Sequence, residues 1–470
     1  MNLFANVIGG KPLAGGGPGR VRHNPMTGDG VASWREADAA DVAAAVSAAR
    51  TAFEAGDWSG APVATRQAAL RAMAAAIRTA AGDLAALQTA ETGITIKTAT
   101  RHVAGGAAWF DYFADALATD GGAVHSQLPG ATTLIVREPL GVCALFAPWN
   151  VPVGLAAIKI APALAAGNAA VWKASEETPA TARALYDCLA PHVPPGILNL
   201  INGAGAVTGA ALAEAPVDAI SFTGGGAGGA AVMRAAAARA VPVTLELGGK
   251  SANIIFADAD LEAAVAGSLA AAYGNNGEAC LAGSRILVER PIFDAFVKAF
   301  EAGAAALTVG DPMAPDTDIG PMVSPAHHAR VTAFFDHGAE DGDTLLFGGP
   351  GEGLFVRPSA FLAGTKGRVW LQEIFGPIAA IHPFDDEAEA IALANDTAYG
   401  LVAYLWTQNA TRALSLPKRL RAGTVLLNTA MLRELNAPFG GVGLSGIGRE
   451  GGRYSFENFS TAKAIVMRHT

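Results

Sequence analysis

Three cysteines in 470 residues, Cys143, Cys188 and Cys280, are too few and too scattered to make a disulfide framework, so reduced thiols are expected. Charged residues are scarce at 16%, while hydrophobic residues make up 51%. That is enough apolar surface to offset an ordering entropy of about 1 to 2 kcal/mol per residue, which excludes a disordered chain. Long unbroken apolar runs are missing. The Ala-rich stretch at 154–172 contains Lys159 and Pro162 and other runs are interrupted similarly, so no membrane-spanning helix and no membrane partner is expected. Basic clusters are missing too: 33 Lys and Arg stand against 42 Asp and Glu, for a net charge of −9, and no basic-aromatic stripe would track a phosphate backbone. Nucleic acid is therefore not an expected partner. The opening residues 1–17 show no basic segment followed by a long apolar one, so no secretory signal is read and a cytoplasmic location is expected. The nine His and three Cys fall in no metal-ligand spacing, and no metal is expected.

A chain of this length exceeds what one hydrophobic core usually carries, which points to two or three domains. Gly-rich, low-complexity sequence is confined to the first thirty or so residues, and no later stretch resembles a linker, so the domains must be interleaved or tightly docked. Residues 38–118 repeat Ala, Leu and Ile at three- and four-residue spacing, the period of a helical shoulder, with Gly93 as a C-terminal stop. Two strand-like runs follow, TTLIVREP and GVCALFAPW. Apolar strands then alternate with Ala-rich helices: AAVWKA with 179–190, ILNLI with 206–213, AISFTG with 227–240, then VTLEL and NIIFA. This alternation predicts parallel strands with crossover helices. A second α/β unit begins after Asp260, and the terminal AKAIVMRH reads as an isolated strand that must pair with another segment or another subunit.

Of the three thiols, Cys143 lies in an apolar strand and Cys188 on a helix, where inert burial is the natural reading. Cys280 sits in the Gly/Asn loop GNNGEACLAG between a helix and a strand, where backbone can approach a ligand; alone it reads equally as a nucleophile or a loop thiol. Glu246, in LELGGK, follows a strand and precedes two glycines; alone it reads as a solvated or capping carboxylate, or as a base. Asn150, in APWN, ends the GVCALF strand, where open α/β sheets gather ligands. It could be a plain turn residue, or its amide could hold an oxyanion formed when a thiolate attacks a carbonyl carbon.

Seven ordered motifs carry a resemblance over nearly the whole chain: PWN at 148–150, WKASEETP at 172–179, FTGGGAGG at 222–229, LELGGKSANIIFADAD at 245–260, GEACLAGSR at 277–285, EIFGPI at 373–378 and PFGGVGLSGIGREGG at 438–452. They resemble the NAD(P)-dependent aldehyde dehydrogenase superfamily, which also shares the 34-residue separation of Glu246 and Cys280. The resemblance implies a nucleophilic Cys280, an oxyanion held by Asn150 and the Cys280 N–H, and Glu246 as the base that activates water against a thioester. Lys159 and Glu450 fall where relatives keep a proton relay; a surface lysine and a helix-start carboxylate are the alternatives. For the cofactor it implies Trp149, Lys173, Ser175, Glu176, Gly224, Gly225, Gly228, Leu247, Glu373 and Phe375. Glu176 there disfavours a 2′-phosphate, so NAD is expected, with NADP possible. The FTGGGAGG loop departs from the family, which usually has Ser or Thr after Gly224, so a looser cofactor hold is expected.

By position the aldehyde tunnel is expected from Val151, Leu155, Ile158, Gly274, Leu281, Leu432, Arg433 and Phe439. Ile158 and Gly274 are smaller than the aromatics of many relatives, which suggests an aromatic or bulky apolar aldehyde, as in the benzaldehyde, vanillin or salicylaldehyde dehydrogenase branch. Arg433 could meet a substrate carboxylate, making a semialdehyde the alternative, although a solvent-facing arginine is the more common case. Glu246 argues against a coenzyme A acylating enzyme; a non-catalytic dinucleotide-binding protein and a cysteine hydrolase lacking any histidine partner are the other rivals. The implied fold is α/β: a Rossmann-like cofactor domain (1–120 and 140–247, with 445–459 returning), an α/β catalytic domain (248–444), and a small β oligomerisation element (121–139 and 460–470) making a homodimer or homotetramer.

Overall fold

The computed structural model describes residues 2–4, 6–119 and 121–469. The helical shoulder resolves into Ala39–Glu54, Val63–Thr79, Ala81–Thr92 and Ile96–Ala116. Asp38 starts the first, its carboxylate accepting from the backbone N–H groups of Ala40 and Asp41 while the Asp41 side chain reaches back to the Asp38 N–H. Gly93 stops the third in a left-handed conformation, φ 77°, that a residue without Cβ adopts freely.

Eight strands form the larger sheet. At its centre Val243–Glu246, Ala219–Thr223, Val142–Phe146, Ala169–Ala174 and Leu198–Asn202 run parallel. Helices cover both faces, which is why the VCALF and AAVWKA runs are apolar at nearly every position and buried throughout. Cys143 is sealed in this core, where burial pushes its thiol far up. The Gly-rich N-terminus is more ordered than its composition suggests. Asn6–Ile8 and Lys11–Leu13 form a hairpin on the sheet edge, turning at Gly9 and Gly10 with φ of 59° and 78°. Gly19–His23 pairs with Gly30–Arg35 in a separate small sheet. Short strands joined by glycines leave too little alternation to be recognised from sequence. The helix expected at 206–213 is a π-helical turn, Gly205–Gly209, leading into Ala210–Glu214.

A second, seven-stranded sheet spans Ala252–Ile255 to Thr424–Leu427 and has its own apolar clusters. Gly446–Ile447 then returns to pair antiparallel with Val243–Glu246 of the first sheet. Ser460–Arg468 runs antiparallel to Ala131–Pro139, with Ala123–His125 on the far side, in a three-stranded arm. The isolated terminal strand thus finds its partner within the chain, and its other edge stays open.

The two large units meet where residues 320–323 pass the Gly93 turn. A Cβ on Gly320 would lie 1.9 Å from the Gly93 carbonyl oxygen, which is backbone and cannot move aside. Gly320→Ala should therefore destabilise the protein by about 1–3 kcal/mol, as overpacking does. Denaturant unfolding checks this; an unchanged midpoint would contradict so close an approach.

Candidate active site

The loop carrying Cys280 is set by two consecutive asparagines after the Leu261–Tyr273 helix. Asn275 and Asn276 have φ of 56° and 58°, a region Asn tolerates better than most residues. The Asn275 amide donates to the carbonyls of Glu278 (2.9 Å) and Asn150 (3.2 Å). Asn276 donates to the Gly93 and Pro321 carbonyls, both at 3.3 Å, and accepts from the Gly320 N–H at 2.9 Å. Asn150 Nδ2 in turn donates to the Glu278 carbonyl at 2.9 Å. That leaves its second amide hydrogen available beside the nucleophile loop.

Cys280, Glu246 and Asn150 line one cleft of about 350 Å³, together with Leu155, Trp149, Leu247, Glu373 and Phe375. Glu246 is neither solvated nor a cap: it is 4% exposed, and neither carboxylate oxygen has a hydrogen-bond partner among the described residues. Burial, and then the neighbouring Glu450, hold its carboxyl well above the usual carboxylate range, against the pull of Lys159 and Arg433. Burial and the carboxylates of Glu373 and Glu246 push the Cys280 thiol up to about 12. Lys159 is no surface lysine. It is completely buried in the Pro152–Ala165 helix and donates to Glu450 Oε1 at 2.6 Å and to Ser221 Oγ at 2.9 Å.

A second cavity of about 600 Å³ shares Pro148, Trp149, Thr223, Gly224 and Gly225 with the first, so the two read as one elongated site. Lys173, Ser175, Glu176 and Gly228 line its far half. Lys173 Nζ donates to Glu176 Oε2 at 3.1 Å, and despite burial this lysine keeps the Glu176 carboxyl below its ordinary value. In the middle, the Gly226–Ala237 helix points its N-terminus at the cavity, a setting for a phosphate. The buried hydroxyl of Thr223, a residue lining both halves, has no hydrogen-bond partner among the described residues. In the near half, Glu373 accepts from the Gly249 N–H at 3.1 Å, and the Phe375 backbone is held at φ 59°. A dinucleotide fits these features.

Two residues of the near half went unrecognised in the sequence, His327 and Arg330. A single neutral tautomer satisfies both hydrogen bonds of His327: Nε2–H donates to the Phe375 carbonyl (2.8 Å), and Nδ1 accepts from Arg330 (3.2 Å), while Nε2 also lies 3.4 Å from Glu278 Oε1. Burial and Arg330 hold its pKa down at about 4. The signal was present in SPAHHAR: a Ser cap, Pro at the first turn, then His and Arg three apart on one helix face.

The expected tunnel residues divide. Leu155 lines the cleft, and Val151 precedes its helix. Gly274 opens on free space. Leu281 and Phe439 pack with Cys280 against Tyr404. Ile158 lies on the same helix and is buried, as are nearly all residues of that helix. Leu432 stands 68% exposed on the surface of the chain. Arg433 corrects the solvent-facing reading. Its guanidinium lies over the rings of Phe439 (4.2 Å) and Trp109 (5.1 Å), and Nε and Nη2 are buried without a hydrogen-bond partner among the described residues. Desolvation lowers its pKa, while Glu450, Glu246 and Cys280 pull the other way.

Residues 19–465 match the profile of the Aldehyde dehydrogenase family. The chain belongs to that family. It is 41% identical over 464 residues to a 2-hydroxymuconic semialdehyde dehydrogenase of Pseudomonas sp. (strain CF600), covering 95% of each chain. It is 42% identical over 462 residues to a 2-aminomuconic 6-semialdehyde dehydrogenase of Pseudomonas sp., covering 94% of each. The structure superposes with a TM-score of 0.96 on betaine aldehyde dehydrogenase from Staphylococcus aureus in complex with NAD+, at 36% identity over 98% of this chain and 94% of that one.

In this aldehyde dehydrogenase a Cβ on Gly225 or Gly226 would meet nothing within 4 Å, so the missing hydroxyl leaves open space at an uncapped helix end. The state of the thiol has a direct consequence. Only thiolate is alkylated, and the thiol is raised to about 12 from an ordinary 9. Alkylation of Cys280 by iodoacetamide in the free enzyme should therefore keep rising with pH beyond 9, where an ordinary cysteine levels off. A plateau near pH 7 would contradict the buried-thiol picture.

Proposed function

We infer that the enzyme oxidises an aldehyde bearing a carboxylate to the corresponding acid, with NAD as electron acceptor. The observation that carries the substrate class is Arg433, a guanidinium brought beside Cys280 and Glu246 with two buried nitrogens unpartnered. An aromatic or bulky apolar aldehyde would leave it so; a carboxylate would pair with it as a fork. Semialdehyde dehydrogenases among the relatives support the same class.

Lys173 and Glu176 would hold the adenosine ribose and Glu373 the nicotinamide ribose, with the Gly226–Ala237 helix N-terminus toward the pyrophosphate. The ionised Glu176 favours NAD over NADP, and the NAD+ complex of the similar Staphylococcus aureus structure supports it. Bound there, NAD supplies a hydride acceptor. Cys280 gives its thiol proton to Glu246 and attacks the aldehyde carbon as thiolate, and the Asn150 amide and Cys280 N–H hold the oxyanion of the thiohemiacetal. Loss of hydride leaves a thioester on Cys280. Glu246, whose raised pKa makes it a stronger base than an ordinary carboxylate, takes a proton from the water that hydrolyses it. Lys159, Ser221 and Glu450 offer that proton a buried route onward. Three unpaired cysteines agree with a reducing compartment, the cytoplasm. Among the described residues no helix is long and apolar enough to cross a membrane.

NADH formation followed at 340 nm without coenzyme A, on carboxylated, aromatic and short aliphatic aldehydes, tests the reading. Arg433→Met should cost about 100-fold in kcat/KM for the carboxylated aldehyde, the loss of a buried charge partner, and only a few-fold for benzaldehyde. Equal losses on both would refute the carboxylate role.

The open edge of Ser460–Arg468, with Ile465, Val466 and Met467 exposed, suits pairing with a second copy in a homodimer or homotetramer. Val466→Lys should shift light-scattering mass toward the monomer.

A further inference from the structure

Arg22 is the single buried residue of strand Gly19–His23. Its guanidinium makes three kinds of contact, to three separate parts of the molecule. Nε donates to the Glu91 carbonyl at 2.9 Å and Nη2 shares the same oxygen; Nη2 also donates to the Val323 carbonyl, and Nη1 to the Glu177 carboxylate. Each partner lies one step from the cofactor cleft.

Glu177 follows Glu176, the carboxylate at the far half of the cleft, and its N–H donates to Ser175 Oγ at 3.2 Å. Glu91 ends the Ala81–Thr92 helix side of the joint, and its carboxylate accepts from the Ala180 and Thr181 N–H groups (2.7 and 2.8 Å) and from the Thr181 hydroxyl (2.6 Å). It thereby anchors the start of the Pro179–Leu189 helix, directly after the 175–178 loop. Val323 belongs to the other domain. Its N–H donates to Glu278 Oε1 at 3.2 Å, and the Glu278 carbonyl receives Asn150 Nδ2. One residue later Ser324 caps the Pro325–Asp341 helix, which presents His327 and Arg330 to the near half of the cleft.

We propose that Arg22 is a positioning residue that fixes the two halves of the cofactor cleft relative to each other, joining the 175–178 loop to the Val323–Glu278 connection and the nucleophile loop. The inference rests on the reading that a dinucleotide fills the cleft. Its logic is geometric. A planar guanidinium offers five N–H donors in a fixed fork and can bridge acceptors of different segments at once, whereas an ammonium is a point charge that cannot keep all three. With the fork removed, Glu177 loses its partner, two buried carbonyls lose their donor, and the ribose loop is free to shift against the nicotinamide half. Arg20, on the same strand, supplies the contrast: half exposed, among the described residues it pairs only with Glu36, at 2.8 Å, and it lines neither half of the cleft.

The test is the dissociation constant of NAD measured by calorimetry on the full-length protein, together with KM for NAD, kcat and Tm. Wild type must first bind NAD; failure there would sink the dinucleotide reading rather than the role of Arg22. Arg22→Met should weaken NAD about tenfold or more, the scale of a lost charge-assisted contact, and KM should rise more than kcat falls. Arg22→Lys should recover only part of this. Millimolar methylguanidinium added to Arg22→Ala should restore NAD binding, which a merely structural loss would not do. Arg20→Gln should bind NAD as wild type does. Glu177→Gln, partly exposed and close in volume, should weaken NAD several-fold without lowering Tm, and carries the test if the Arg22 variants fail to fold. NAD binding within twofold of wild type in Arg22→Met or in Glu177→Gln, or no recovery with methylguanidinium, overturns the proposal.

Discussion

A thiol and a carboxyl that must both change protonation share one poorly hydrated cleft, and each raises the free energy of charging the other. Burial is the largest cause for Cys280 and for Glu246 alike, with neighbouring carboxylates adding to it. The cations around them are divided. Lys159 is committed to Glu450 and Ser221, so it acts on Glu246 through space and not by direct contact, and Arg433 is the charge left without a hydrogen-bond partner. The resting site therefore stores little thiolate. Its reactivity depends on bringing base, thiol and acceptor into register when the cleft is filled, and so on the accuracy of the loops that hold them.

Those loops come from different parts of the chain. Asn150 follows one strand of the larger sheet and Glu246 ends another, Cys280 precedes a strand of the second, and His327 and Arg330 sit on a helix between the second sheet's strands. The parallel sheet settles the first pair by its geometry: ligands collect at the carboxyl ends of its strands. The rest depends on side chains that cross the joint. Asn276 reaches the Gly93 carbonyl, Ser445 Oγ donates to the Gly248 carbonyl and accepts from the Gly400 N–H, and Arg22 spans three segments. Most are short polar side chains bonded to backbone, which fixes loops without adding bulk where the units approach most closely.

What could be read from the sequence follows from how local each signal is. Fully apolar runs such as VCALF and AAVWKA announced buried parallel strands, and the 3.6-residue periodicity of 38–118 announced the helical shoulder. The GNNGEAC loop was legible because two asparagines and two glycines around a cysteine are costly in a regular element and ordinary in a shaped one. Lys159 was ambiguous in an Ala-rich helix, because its burial is decided by Ser221 and Glu450, 62 and 291 residues away. His327 and Arg330 were missed for the same reason: their partners at Phe375 and Glu373 are tertiary, and a helix reads the same whichever face it turns inward. The hairpins of the first thirty residues were hidden by glycines that supply turns while erasing alternation.

The substrate question turns on which of two sequence arguments keeps its footing. The wide apolar tunnel expected from Ile158 and Gly274 offers a neutral aldehyde room and no polar anchor: Ile158 is buried, and a Cβ on Gly274 would meet no atom of the described residues within 4 Å. The case for a charged substrate used Arg433 alone, and the structure adds to it. Contacts with the faces of Phe439 and Trp109 return about 0.5 to 2 kcal/mol to a buried cation, while removing a guanidinium from water costs several. Glu246 and Glu450 lower that deficit electrostatically, yet neither donates the fork of oxygens that Nε and Nη2 are left to find. A neutral aldehyde leaves the deficit in place through the whole reaction. On the proposed reading a carboxylate would remove it on binding and, because an aldehyde tethered to that carboxylate has few remaining ways to lie, would turn the same contact into alignment of the carbonyl with Cys280.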